Sequence, residues 1–244
     1  MKKLFLSAAS VLLAAALTAC AAASSAPAAT PAPTQTPAAT AAPEPTAEAT
    51  TEEAETADSN ILIAYFTWAE NTVVEDPSAV DVDATTSASV LMPGNAGKLA
   101  DWIWQEVGGN LFSIRVAEPY SSNYDECLER ASEELANDAR PELVTHVENM
   151  DQYDIVFIGF PNWWYTIPMA VHTFLDEYDF SGKTIVPFVT HGTGGLSRTI
   201  EDLTAALPDS VTILEPIGVY RPEVDESQPA IQEWLAGLDL PAAE

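Results

Sequence analysis

Four stretches of this chain carry residues whose types and spacing suit ligand chemistry. The apolar run ILIAYF ends at Thr67-Trp68, where a buried strand would give way to a phosphate-binding turn. Further along, Gly94-Asn95-Ala96 immediately precedes an amphipathic stretch. A helix beginning there presents free backbone N–H groups and the positive end of its dipole, the usual receptor for a phosphate. In GFPNWWYTIP (159–168), Pro161 and Asn162 lead into the adjacent aromatics Trp163, Trp164 and Tyr165. Such rings either pack beneath a loop or form a wall for a planar ligand. In THGTGGLSRT (190–199), His191 is followed by Gly192, Thr193, Gly194 and Gly195, and glycines let backbone amides approach a ligand edge.

Several other chemistries are excluded on pattern. His191 before glycines is reminiscent of an esterase oxyanion loop, but no G-x-S-x-G nucleophile elbow exists; Ser197 sits in GLSRT. PGNAGKL is not a Walker loop, because no glycine stands five before Gly97 and Leu99 occupies the hydroxyl position. Glu75, Asp76, Asp81 and Asp83 lack the spacing of a calcium loop and read as a solvated acidic segment. His146 and His172 form no metal pair, and Cys127 reads as a packed thiol.

The elements that must position these stretches alternate in kind. Strands are expected at 60–66, 111–116, 153–160, 184–190 and 211–220, the last interrupted near Pro216 and the fourth carrying Pro187. Helices are expected at 94–107, 123–138, 168–178, 195–207 and 227–238; Leu99, Trp102, Ile103 and Val107 share one face of the first. Cys127, Leu128, Ala131 and Leu135 point inward from the second. Five βα units call for a parallel sheet covered on both faces, with ligands bound beyond the carboxyl ends of the strands.

This order of elements, with ILIAYFT, GFPNWWYTIPMAVHTFL and THGTGG at their places in it, resembles the flavodoxin family, in the branch with a tryptophan-bearing loop. The similarity covers most of 60–240. It implies an α/β flavodoxin-like fold: three layers, a doubly wound five-stranded parallel sheet of order 2-1-3-4-5, and FMN as cofactor. It also implies a phosphate held after the first strand and an isoalloxazine ring between the loops after the third and fourth. The contiguous reading TWAENTVV would set Glu70 beside the phosphate, whereas Thr67-Trp68 continued at PGNAGKLA brings Gly94 and Asn95 into register. The turn thus reads as split by an insertion at about 69–92, with Ala96 in place of a hydroxyl donor that Thr85, Thr86 or Ser87 could replace. The cofactor-binding set is then Thr67, Trp68, Gly94, Asn95 and Ala96 with Pro161, Asn162, Trp163 and Trp164, and His191 to Gly195 on the third side. Trp163 or Trp164 is expected to flank the ring, with Trp68 and His191 as the other candidates.

The remaining sequence concerns address and charge. Lys2-Lys3, an apolar run from Leu4 to Leu17, and LTAC resemble a lipoprotein signal, residues 1–19, cleaved before a lipidated Cys20. Residues 20–58, almost all Ala, Pro, Thr, Ser and Glu after the cysteine, read as a tether, leaving 59–244 as one domain. The chain carries a formal charge of −28, with 9 basic and 37 acidic residues. Nucleic acid and anionic lipid are therefore excluded as partners, and the membrane is reached only through the lipid. The expected partner is a cationic redox protein or a small-molecule electron acceptor, outside the cytoplasm. Three functions fit: a one-electron carrier, an FMN-dependent NAD(P)H oxidoreductase of quinone-reductase type, and a cofactor-free binding module on the same scaffold.

Overall fold

The computed structural model of the protein describes residues 60–80, 82–84 and 89–240. Cys20, the signal and tether segments, Asp81, Thr85, Thr86 and Ser87 lie outside the described residues. Six strands, β1 (Ile61–Tyr65), β2 (Asn110–Ser113), β3 (Ile155–Pro161), β4 (Thr184–His191), β5 (Thr212–Ile213) and β6 (Ile217–Tyr220), form one sheet. Its order is β2-β1-β3-β4-β5, with β6 also on β4, and every pairing is parallel. This is the expected 2-1-3-4-5 order, with the fifth strand in two pieces.

The division of that strand has a local cause. Ile185 pairs with Ile213 and Phe188 with Ile217, so Val186 and Pro187 stand opposite three residues, Leu214 to Pro216. A bulge places the two prolines where the ladder is already broken, so the missing N–H of Pro187 sits beside the gap.

The helices that flank the sheet are α1 (Asn95–Val107), α2 (Tyr124–Ala136), α3 (Met169–Glu177), α4 (Thr199–Ala205) and α5 (Gln228–Gly237). Strand periodicity assigns them to layers. Leu62 and Ala64 of β1 face a core shared with Cys127 of α2, Phe174 of α3 and Leu203 of α4. Ile63 between them faces the other core, with Leu99 and Ile103 of α1 and Ile231 of α5. β2 is shorter than expected, ending at Ser113; beyond it Val116 makes an antiparallel bridge to Leu143 instead. α4 begins four residues later than 195 because Gly195 (φ 62°) and Ser197 (φ 49°) are left-handed.

The insertion is anchored rather than splayed. Thr72 bridges to Tyr120, and Ala84 and Val90 are buried in the larger core. Glu75, Asp76 and Asp83 are exposed, as a solvated acidic segment requires.

Candidate functional site

The two halves of the split turn meet in space. Gly94 caps α1 with φ 74°, and a Cβ built on it would stand 2.0 Å from Thr67 Oγ1 and 3.1 Å from the Ala69 methyl. Only glycine allows that approach at that φ. Lys98 N–H donates to Gly94 O at 3.1 Å, closing the first helical turn. The N–H groups of Asn95, Ala96 and Gly97 therefore have no acceptor within the helix. No side chain caps them, and the first turn holds no carboxylate.

The segment after Thr67 is turned away from this opening. Trp68–Asn71 forms a 3-10 turn in which the buried Asn71 amide donates to Thr67 O (2.9 Å) and Ile114 O (3.0 Å) and accepts from Val116 N–H (2.8 Å). Glu70 points to the β2 side, accepting from Tyr65 Oη (2.9 Å), Ser113 Oγ and Arg115 Nη2 (3.2 Å). Burial, and then this carboxylate, push the Tyr65 hydroxyl well above its ordinary pKa. Trp68 is 1 % exposed and its indole N–H donates to Ser121 O at 3.0 Å, so it presents no face to a ligand.

The aromatic stretch is a two-residue hairpin turn. Trp163 and Thr166 exchange backbone hydrogen bonds of 3.1 and 3.0 Å around Trp164 (φ 50°) and Tyr165 (φ 67°). Consecutive left-handed residues are normal for Asn-Gly, and cost about 1–2 kcal/mol each for bulky side chains. The core beneath holds them. Trp163 packs edge-on against Phe66 (5.3 Å) and Tyr120 (5.1 Å), and Trp164 Nε1 donates to Leu128 O at 3.0 Å. Trp164 and Tyr165 remain 42 % and 62 % exposed.

The glycine loop after β4 forms the opposite side. Asn162 fastens it by donating from Nδ2 to Gly195 O (3.1 Å) and Leu196 O (3.2 Å). A Cβ on Gly194 would lie 3.2 Å from the Tyr165 ring, so an aromatic reaches this loop from its neighbour. His191 turns away: Nδ1 lies 2.7 Å from Gly192 O and the ring rests 6.2 Å from Tyr220.

Between these parts lies a cleft of about 280 Å³. Of the residues expected from sequence, Asn95, Pro161, Asn162, Trp163, Trp164, Gly192, Thr193, Gly194 and Gly195 line it. Thr67, Gly94 and Ala96 stand behind its surface as supports, and Trp68 and His191 are corrected out of the ring-side role: one fills the core, the other sits against Tyr220. Tyr124, Leu128, Tyr165, Thr190 and Arg221 also line the cleft. Arg221 carries a sequence signal, since it directly follows the last strand and the carboxyl-end rule applies to that strand too. Although the chain has 37 acidic residues, none of the described ones lines the cleft.

A larger hollow, about 390 Å³, runs along the C-terminal half of α2. Its cations are already neutralised, Arg130 by Glu134 and Arg140 by Asp138 and Asp176, and it lacks aromatic walls. The smaller cleft is the candidate site. No group of three or more potential metal ligands occurs among the described residues.

Known proteins align with this picture. The family described as Flavodoxin matches residues 82–235. No curated protein matches the sequence. Among solved structures, a protein of Bacteroides eggerthii described as a flavoprotein is 27 % identical, with a TM-score of 0.55, covering 75 % of this chain and 99 % of its own. A similarly described protein of Bacteroides uniformis is 24 % identical, with a TM-score of 0.55, covering 72 % and 97 %. A Lactobacillus acidophilus flavoprotein in complex with FMN is 18 % identical, with a TM-score of 0.46, covering 69 % and 97 %.

Proposed function

We propose that this chain, which belongs to the flavodoxin family, binds FMN in the cleft and serves as an electron-transfer protein outside the cytoplasm, held to the membrane through Cys20. The observation that carries the reading is the junction of Thr67 with Gly94. It sets an uncapped helix start at the cleft, and a Cβ on Gly94 would close the approach. The B. eggerthii flavoprotein supports the same ligand class.

The residues fit the group. The uncapped start of α1, whose Asn95 lines the cleft, suits the phosphate, Trp164 and Tyr165 suit one side of a planar ring, and the backbone of Thr193 to Gly195 suits its polar edge. Bound FMN supplies reversible one- and two-electron chemistry, and the chain's residues position it and control access. No side chain need act as acid or base for such transfer. The chain's net charge of −28 opposes added negative charge, which favours a low-potential reductant, and it directs docking toward cationic partners or small acceptors in a salt-sensitive manner.

The test is the visible spectrum of the purified chain before and after adding FMN. A bound-flavin spectrum with quenched fluorescence supports the reading. A colourless protein that ignores added FMN overturns it in favour of a cofactor-free binding module.

A further inference from the structure

We propose that Arg221 is the charged ligand of the flavin's terminal phosphate, so that this cleft selects a phosphorylated flavin over riboflavin. The proposal rests on the FMN reading and adds a cation to a phosphate site otherwise built from backbone.

The cations of the described domain are nearly all committed. Lys98 pairs with Asp225, Arg115 with Glu70, Arg130 with Glu134, Arg140 with Asp138 and Asp176, and Arg198 with Asp202. Lys183 is buried and donates to the carbonyls of Met150 (3.0 Å) and Tyr153 (2.6 Å). Arg221 alone among the arginines has no carboxylate within 4.0 Å among the described residues, in a chain where acids outnumber bases 37 to 9. It is half-buried, in a cleft that none of the described acidic side chains lines. The other arginines of this acidic chain all find a carboxylate; one without such a partner among the described residues and facing a cleft is placed for an anion that arrives from outside.

Its position is constrained from two sides. A Cβ on Gly192 would stand 2.8 Å from Arg221 Nη2, so the guanidinium lies directly over that glycine. The 3-10 segment that Arg221 opens, Arg221–Glu226, is tied to the first turn of α1 by the Lys98–Asp225 pair. Arg221 and Asn95 consequently line the same cleft. Ala96, 2 % exposed, offers no hydroxyl there. A planar guanidinium replaces that donor with several N–H groups in the geometry that fits phosphate oxygens, and its charge offsets the repulsion a dianion meets in an acidic protein.

The experiment titrates the full-length chain with FMN and with riboflavin, following flavin fluorescence at two ionic strengths, for wild type, Arg221→Gln, Arg221→Lys and Gly192→Ala. Wild type is expected to prefer FMN. Arg221→Gln should weaken FMN about 10- to 100-fold and leave riboflavin unchanged, since hydrogen bonds to charged groups are of that size. The salt dependence of FMN binding should shrink with it. Arg221→Lys should recover part of the preference, and Gly192→Ala, which displaces the guanidinium without removing it, should lower it. The FMN-to-riboflavin ratio is insensitive to any loss of folded protein. Equal weakening of both flavins, an unchanged ratio, or a wild type that binds both alike overturns the role of Arg221 while leaving the cofactor reading standing. A wild type that binds neither flavin overturns both.

Discussion

The two ends of the cleft are built on opposite principles. At the α1 end, backbone does the work: glycine at 94 admits Thr67, glycine at 192 admits Arg221, and the helix start supplies unpaired N–H groups. At the aromatic end, bulky residues occupy backbone conformations that glycine would take without strain, Trp164 at φ 50° and Tyr165 at φ 67°. One end places glycine where conformation demands it; the other puts large rings there and relies on Trp163, wedged between Phe66 and Tyr120, to hold them. Glycine content therefore does not mark function by itself. Close approach of backbone explains one end, and ring surface retained against strain explains the other.

The strongest way to break the α1 end is Gly94→Val. The new Cβ would collide with Thr67 Oγ1 at 2.0 Å, at a φ that β-branched residues avoid. Backbone strain and overpacking together should cost about 3–5 kcal/mol, read as a lower urea midpoint, and FMN uptake should disappear. At the aromatic end the comparable loss falls on the supporting ring. Trp163→Ala should destabilise by about 2–4 kcal/mol, because it leaves a gap between Phe66 and Tyr120. Trp164→Ala, by contrast, should leave the urea midpoint almost unchanged while weakening FMN by about 1 kcal/mol, roughly fivefold, through lost ring contact. Equal stability losses at 163 and 164 would erase the distinction between support and surface.

Replacing Trp164-Tyr165 by Asn-Gly sharpens the contrast from the other side. The same backbone becomes the favoured one for a two-residue hairpin, so the melting temperature should rise, by about 1–2 kcal/mol of added stability, while FMN affinity falls. A glycine removed at 94 should destabilise and a glycine introduced at 165 should stabilise. Both changes should weaken the ligand. A lower melting temperature in the Asn-Gly variant would mean the aromatic turn is relaxed where it stands.

The sequence exposed the backbone-built end more fully than the side-chain-built one. Strand–helix alternation pointed to a parallel sheet covered on both faces, the family resemblance supplied its order and the register of Gly94-Asn95, and the need for a free helix start favoured that register despite the insertion. Trp68 could not be placed that way: its direction is set by Ser121 O, a partner 53 residues distant, and by Tyr124 beside it. His191 is the last residue of β4, and its side chain lies toward Tyr220, where the neighbouring strand offers a ring. Arg221 lies outside the loops after the first, third and fourth strands, where the family resemblance locates the ligand. Its role depends on what it lacks, a carboxylate partner, and only the folded chain reveals that.

The smallest effect concerns what lies under the aromatic end. Cys127 of α2 is 5 % exposed, one residue before the carbonyl that accepts the Trp164 indole. Burial pushes its thiol up to about 12 from an ordinary value of 9.0. The folded state therefore holds a proton that the unfolded chain releases earlier. That contribution is fully present below about pH 9 and is lost as pH rises toward about 12. Tyr65 and Tyr120, both raised by burial, add to the fall in the same direction. Cys127→Ala should remove only the thiol's share, so its urea midpoint should decline less steeply between about pH 9 and 11 than that of the parent. The native thiol should also resist iodoacetamide at about pH 8 until urea unfolds the chain. Rapid alkylation of the folded protein would show that α2 opens beneath Trp164, and the strained turn would then rest on a mobile support rather than a packed one.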